Sequence, residues 1–151
     1  MENINHRKWQ SDSLLFLGIL LFLLGLLIGL FIPLMNNPRM GLSAHLEGIM
    51  NGMFLVILGL IWNKLVLTDK WITAAFWLTL FGSFANLVAV SIAAITGAGK
   101  MMPIANGKEG TFVIEGLISF LLISLSLAMI FVCLIVLIGL YRYKKQPSGT
   151  S

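Results

Sequence analysis

His45, Glu47 and Asn51 stand within seven positions of one another in SAHLEGIMNG (43–52), at the head of a run that is otherwise nearly all apolar. Asn86 and Glu115 interrupt two later apolar runs. An ionisable group in a membrane helix costs about 2.5 to 3.5 kcal/mol at its centre, so such residues usually mark function. On a helix turning about 100° per residue, His45, Gly48, Gly52 and Gly59 fall on one stripe, while Glu47 and Asn51 share another face. Neutral imidazole binds metals, and a groove of glycines lets a flat ligand approach the backbone. No Cys–Cys or His–His pair has the spacing of a zinc site. A single axial ligand beside a flat groove suits a haem, whose porphyrin supplies four ligands. His45 is thus the candidate metal ligand, with Gly48 and Gly52 as the cofactor-binding surface.

A structural reading fits the same residues. His45 then caps or hydrogen-bonds at a helix end while the glycines pack on a neighbour. Asn51 and Asn86 become interhelical hydrogen bonds, worth on the order of 0.6 kcal/mol each, and Glu115 reaches interfacial water.

The elements that hold these residues follow from composition. Of 151 residues, 58% are hydrophobic and 11% charged, against about a quarter charged in a typical soluble domain. Four apolar runs, roughly 13–35, 42–66, 71–96 and 111–143, are each long enough to cross a hydrocarbon core as a helix. They lack the alternation of barrel strands. The first run follows Arg7 and Lys8 like a signal peptide, but it is too long and no small-residue cleavage site follows it. An all-α integral membrane four-helix bundle is predicted, up-down-up-down because its connections are short. Residues 1–12 form a cytoplasmic N-terminal segment, 13–143 the transmembrane domain and 144–151 a disordered tail.

Basic residues set the orientation. Arg7, Lys8, Lys64, Lys70, Arg142, Lys144 and Lys145 share one side, against Arg39, Lys100 and Lys108 on the other. The excess places both termini in the cytoplasm, with Trp9, Trp62, Trp71, Tyr141 and Tyr143 as interfacial anchors. The net charge of +4 is then a topology signal, not a nucleic-acid footprint. The lone Cys133 forms no intramolecular disulfide. Gly18, Gly25 and Gly29 line one stripe of the first helix, with the last two at the small-xxx-small spacing of close helix packing.

The segments NPRMGLSAHLEGIMNGMFLVILGLIW, FGSFANLVAV, AITGAGKMMPIANG and EGLISFLLISLSL resemble the bacterial hydroxylaminobenzene mutases over about residues 13–140. More distantly, His45, Asn51 and Gly52 are similar in spacing to styrene oxide isomerase, a four-helix membrane enzyme with haem b. That resemblance implies His45 as the axial haem ligand, Asn51 beside the substrate at the iron, and Asn86 in the third helix shaping the pocket. The isomerase has an aspartate four residues before the equivalent of Asn86 and a tyrosine four after; here those positions are Gly82 and Val90. The departure argues against an epoxide as the natural substrate.

Resemblance to the mutases implies conversion of hydroxylaminobenzene to 2-aminophenol, an intramolecular hydroxyl transfer; the more distant resemblance to the isomerase adds haem iron as its Lewis acid. Asn51, Asn86 and Glu115 are the catalytic candidates, Glu115 for the proton transfer that restores aromaticity. It further implies a small aromatic hydroxylamine as substrate and a multi-pass protein of the bacterial cytoplasmic membrane. A homo-oligomer is expected, a trimer by resemblance, with haem near a subunit interface. Competing readings are an epoxide isomerase, a b-type electron-transfer subunit and a non-enzymatic tetraspan protein. The electron-transfer reading asks for a second axial residue facing His45, and the membrane segments hold no other histidine.

Overall fold

The computed structural model describes residues 2–103, 106 and 108–146. Four helices carry the chain back and forth: α1 Glu2–Phe31, α2 Pro38–Ile61, α3 Asp69–Thr96 and α4 Phe112–Lys144. All four are long and apolar enough to cross a membrane, so this is a multi-pass membrane protein. Four crossings return both ends of the chain to one face; inner below names the face with the termini and outer the opposite one, whichever side of the membrane each lies on.

Local chemistry explains where the helices break. After α1, Pro33 sits in a single 3-10 turn, Ile32–Leu34. Asn37 then caps α2, its side chain accepting from the Met40 N–H, and Pro38 occupies the first turn, where a missing N–H costs nothing. At the end of α3, Gly97 takes the left-handed conformation (φ 79°) and returns its N–H to the Ala93 carbonyl, a stop that favours glycine. Thr111 caps α4 through the Ile114 N–H.

Consecutive helices are neighbours: α1 packs on α2, α2 on α3, and α3 on α4, the first pair most intimately. The main core joins Leu14 and Leu21 of α1, Leu55 and Leu58 of α2, Ile72 and Phe76 of α3, and Val132 of α4. A second cluster near the outer ends joins Met40, Ala44, Val90, Ala93 and Ile118. Connections are pinned by backbone bonds that lipid would otherwise leave unpaired. The Asn37 N–H donates to the Ala94 carbonyl at 3.0 Å. Across the inner face, Arg7 donates to the carbonyls of Leu65 and Leu67 at 3.1 and 2.6 Å.

Two expectations change. Residues 1–12 do not form a separate segment, because α1 is continuous from Glu2 and buries Gln10 and Ser11. Gln10 accepts from the Trp62 indole N–H at 3.2 Å. Ser11 Oγ donates to the Gly59 carbonyl at 2.8 Å. Trp62 is accordingly fully buried and is a core residue, not an interfacial anchor, whereas Trp9, Trp71, Tyr141 and Tyr143 stay exposed. Of the tail expected to be disordered, residues 147–151 lie outside the described residues.

Candidate active site

Glu47 is the hub of the polar residues. Its Oε2 accepts from Asn51 Nδ2 at 3.2 Å, one turn away on α2. The same oxygen accepts from Asn86 Nδ2 at 2.6 Å, across the interface on α3. A carboxylate oxygen only accepts, so both carboxamides must turn their NH2 groups toward it. Glu47 lies about 14 Å along α2 from its outer end, and Asn86 about 15 Å along α3 from its own. In a hydrocarbon core about 30 Å thick, the three side chains meet near the mid-plane. Asn51 is buried, while Glu47 and Asn86 are half-buried. Sequence reading placed Glu47 and Asn51 on one face but gave Glu47 no role. The available signal was an intramembrane carboxylate one helical turn before an asparagine.

His45 points to the other side of α2. Its Nδ1 lies 2.8 Å from the Gly25 carbonyl of α1. A carbonyl can only accept, so Nδ1 carries the hydrogen, and in neutral imidazole Nε2 keeps the lone pair. Gly29 makes room for the ring, since a Cβ there would lie 2.7 Å from Nδ1.

The glycine groove is not open to a ligand within one chain, which corrects the expectation for Gly48 and Gly52. A Cβ on Gly48 would lie 2.5 Å from Gly25 Cα, and one on Gly52 would lie 2.6 Å from the Phe22 amide nitrogen. Gly18 meets Gly52 in the same way. Helix α1 therefore fills the groove, and the small-residue stripe foreseen on α1 packs against the one on α2.

Glu115 is also placed differently from its expected role. It is buried at the start of α4, where its carboxylate accepts from the Gly110 N–H at 2.9 Å and the Lys100 N–H at 3.3 Å. It clasps the α3–α4 loop. That loop begins more than about 15 Å beyond Asn86 along α3, so the structure does not bring Glu115 to the mid-plane cluster. A polar cavity of about 340 Å³ at the outer ends, lined by Asn36, Arg39, Thr96 and Lys108 among others, is likewise apart from it. Among the described residues, no group of three or more His, Cys, Asp or Glu side chains could hold a metal ion. Any metal at His45 must bring most of its own ligands.

At the two positions where this sequence departs from the resemblance to styrene oxide isomerase, the structure is packed with apolar groups. A Cβ on Gly82 would lie 2.5 Å from Met129 Sδ, and Val90 is buried in the outer core cluster. The carboxylate beside Asn86 comes from Glu47 of α2.

The polar cluster lies at mid-depth among apolar spans, and comparison with known proteins gives the class of protein that carries it. The chain is 56% identical over 132 residues to hydroxylaminobenzene mutase HabB of Ectopseudomonas oleovorans, spanning 86% of this chain and 80% of that protein. It is 48% identical over 127 residues to hydroxylaminobenzene mutase HabA of the same organism, spanning 83% and 94%. No solved structure gives a significant match. The protein is an isomerase. Residues 10–141 match the styrene oxide isomerase family model, and the chain belongs to that family.

Proposed function

We propose that this isomerase converts hydroxylaminobenzene to 2-aminophenol in the bacterial inner membrane, with both termini cytoplasmic. The observation that carries the reading is the 56% and 48% identity to two relatives bearing the mutase name. In the reaction the N–O bond breaks and a bond forms from that oxygen to the ortho carbon. The ortho carbon loses its hydrogen and the nitrogen gains one. Atoms and electrons balance without a co-reactant.

The proposal includes haem b held by His45. The donor set supports it: Nδ1 is tied to a backbone carbonyl, as metal-bound histidines usually are, which leaves Nε2 oriented for a ligand bond. The glycines do not support it, because α1 occupies them. Leu42, Leu46 and Met53 leave exposed apolar surface on α2 near His45. When bound, haem iron supplies a Lewis acid for the hydroxylamine oxygen.

The chain's own residues bind and orient the substrate. Asn51 and Asn86, fixed by Glu47, offer their carbonyl oxygens to the substrate's N–H and O–H. The apolar surroundings keep out bulk water, which favours return of the oxygen to the same ring. His45 and Glu47, two residues apart on a helix, point to nearly opposite sides of α2. A haem on one copy and the carboxylate cluster of the same copy are therefore separated by the helix itself. This supports a homo-oligomer, a trimer in our reading, in which the two halves of the site meet across a subunit interface.

The test is turnover and an absorption spectrum of the detergent-purified protein, with and without dithionite, beside His45→Ala. We expect 2-aminophenol from hydroxylaminobenzene, and a Soret band that shifts on reduction and is lost in the variant together with at least about 100-fold in activity. Styrene oxide should be turned over at least about 10⁴-fold less well. An active but colourless wild type overturns the haem assignment alone. A coloured protein that leaves hydroxylaminobenzene unchanged overturns the mutase reading.

A further inference from the structure

We infer that Glu47 is the specificity-determining residue of the site, making it a reader of N–H and O–H groups and so of hydroxylamines over epoxides. The inference rests on the mutase reading above and deepens it.

The argument starts from hydrogen-bond polarity. An asparagine offers two donors and one acceptor face, and either end can be turned toward a ligand. Here the choice is made by Glu47, whose Oε2 draws the NH2 groups of both Asn51 and Asn86 inward. Three oxygens of the cluster take no part in those bonds: Oδ1 of Asn51, Oδ1 of Asn86 and Oε1 of Glu47. Among the described residues none of the three has a protein donor, and none is sealed from the surface. The cluster thus presents acceptors near the middle of the membrane, where water is scarce to satisfy them.

Such a site selects its ligand by chemistry. An aryl hydroxylamine carries an N–H and an O–H, and so can donate to two of the three oxygens. An epoxide has no donor at all. Binding it would leave desolvated acceptors facing an oxygen lone pair. A site built around a substrate N–H or O–H rejects the analogue that lacks it by roughly 10⁴ to 10⁵, because its own polar groups are left unpaired. Both attraction and repulsion therefore point the same way.

Glu47→Gln isolates this effect. Glutamine keeps the length and one acceptor oxygen, which can still receive both asparagine NH2 groups. Its own NH2 then faces the substrate where Oε1 stood, turning an acceptor into a donor. The experiment compares kcat/KM for hydroxylaminobenzene, for its N-methyl analogue, which lacks the N–H, and for styrene oxide, in wild type, Glu47→Gln and Glu47→Asp. Wild-type turnover of hydroxylaminobenzene tests the mutase reading by itself.

For the inference, the readout is the ratio between the N–H substrate and the N-methyl one. We expect that ratio to fall at least about 100-fold in Glu47→Gln, carried mainly by the N–H substrate, and to be partly restored in Glu47→Asp, which keeps a carboxylate. Glu47 is only a structural knot if all rates fall in proportion and the ratio is unchanged; that outcome overturns the inference, as does a Glu47→Gln protein with wild-type rates. Should Glu47→Gln not yield monodisperse protein, the same ratio in Glu47→Asp decides: a shorter carboxylate withdraws Oε1 and must lower it. An unchanged ratio in Glu47→Asp overturns the inference too.

Discussion

The absence of one methyl group at Gly29 holds His45 in place. A Cβ there would lie 2.7 Å from Nδ1 and 3.0 Å from Cε1, pushing the ring off the Gly25 carbonyl. On the proposal that His45 holds haem, Gly29→Ala should lower haem retention or activity by roughly 10- to 100-fold, as loss of a histidine's outer partner does, while helix content by circular dichroism stays that of wild type. Glu115 gives the opposite pattern. Glu115→Ala leaves the Lys100 and Gly110 N–H groups without their partner and should cost about 1 to 3 kcal/mol in detergent unfolding. Turnover by the folded fraction should change little, since the carboxylate is remote from Glu47. At this scale the sequence showed which residues are chemically unusual but not what they touch. Glu115 reads as a membrane carboxylate by its neighbours in sequence, yet its partners are backbone groups of a loop that curls back on it. Glu47 reads as an outer-end residue until α2 is seen to begin at Pro38, which sets it near mid-depth.

Helix by helix, most of the fold was legible, because length and apolarity decide what can span a bilayer. The glycine spacing was legible too, but its purpose was ambiguous. A groove for a flat ligand and a seam for a neighbouring helix both require only that Cβ be missing, so Gly48 and Gly52 carry the same signature in either case. Their partners, Gly25 and Phe22, lie more than twenty positions away and only packing reveals them. The seam makes its own prediction. In Gly52→Ala the new methyl meets backbone, Phe22 N at 2.6 Å and Gly18 O at 2.7 Å, which a side-chain rotation cannot relieve. The α1–α2 pair must separate, at a cost of roughly 1 to 3 kcal/mol, seen as a lower unfolding midpoint in mixed-detergent titration. Gly116→Ala is the matched control, since nothing lies within 4 Å of its missing Cβ; it should unfold like wild type.

Across the whole molecule, α1 and α4 flank the row of helices and leave wide apolar surfaces, from Phe16 and Leu30 on α1 to Phe120, Leu127 and Leu137 on α4. Lipid or another copy of the chain can cover them equally well by hydrophobicity, so exposure alone does not choose. The placement of the polar groups does. His45 faces α1 and Glu47 faces α3, and a substrate only one ring wide cannot touch both through the body of α2. If the imidazole of one copy serves the carboxylate cluster of the next, the site is shared around a closed ring of subunits with head-to-tail interfaces. This makes the assembly testable by complementation. His45→Ala and Glu47→Gln should each keep no more than about 1% of wild-type activity on hydroxylaminobenzene as pure assemblies. Co-expressed from differently tagged genes and purified through both tags, they should form mixed assemblies in which some interfaces carry an intact histidine facing an intact glutamate. For random mixing in a ring, about a quarter of the interfaces are of that kind, and activity on hydroxylaminobenzene should return to about that fraction of wild type before enrichment by the tags. If both groups instead serve one site within one chain, every site in the mixture lacks one of them, and the doubly tagged assemblies stay as inactive as their parents.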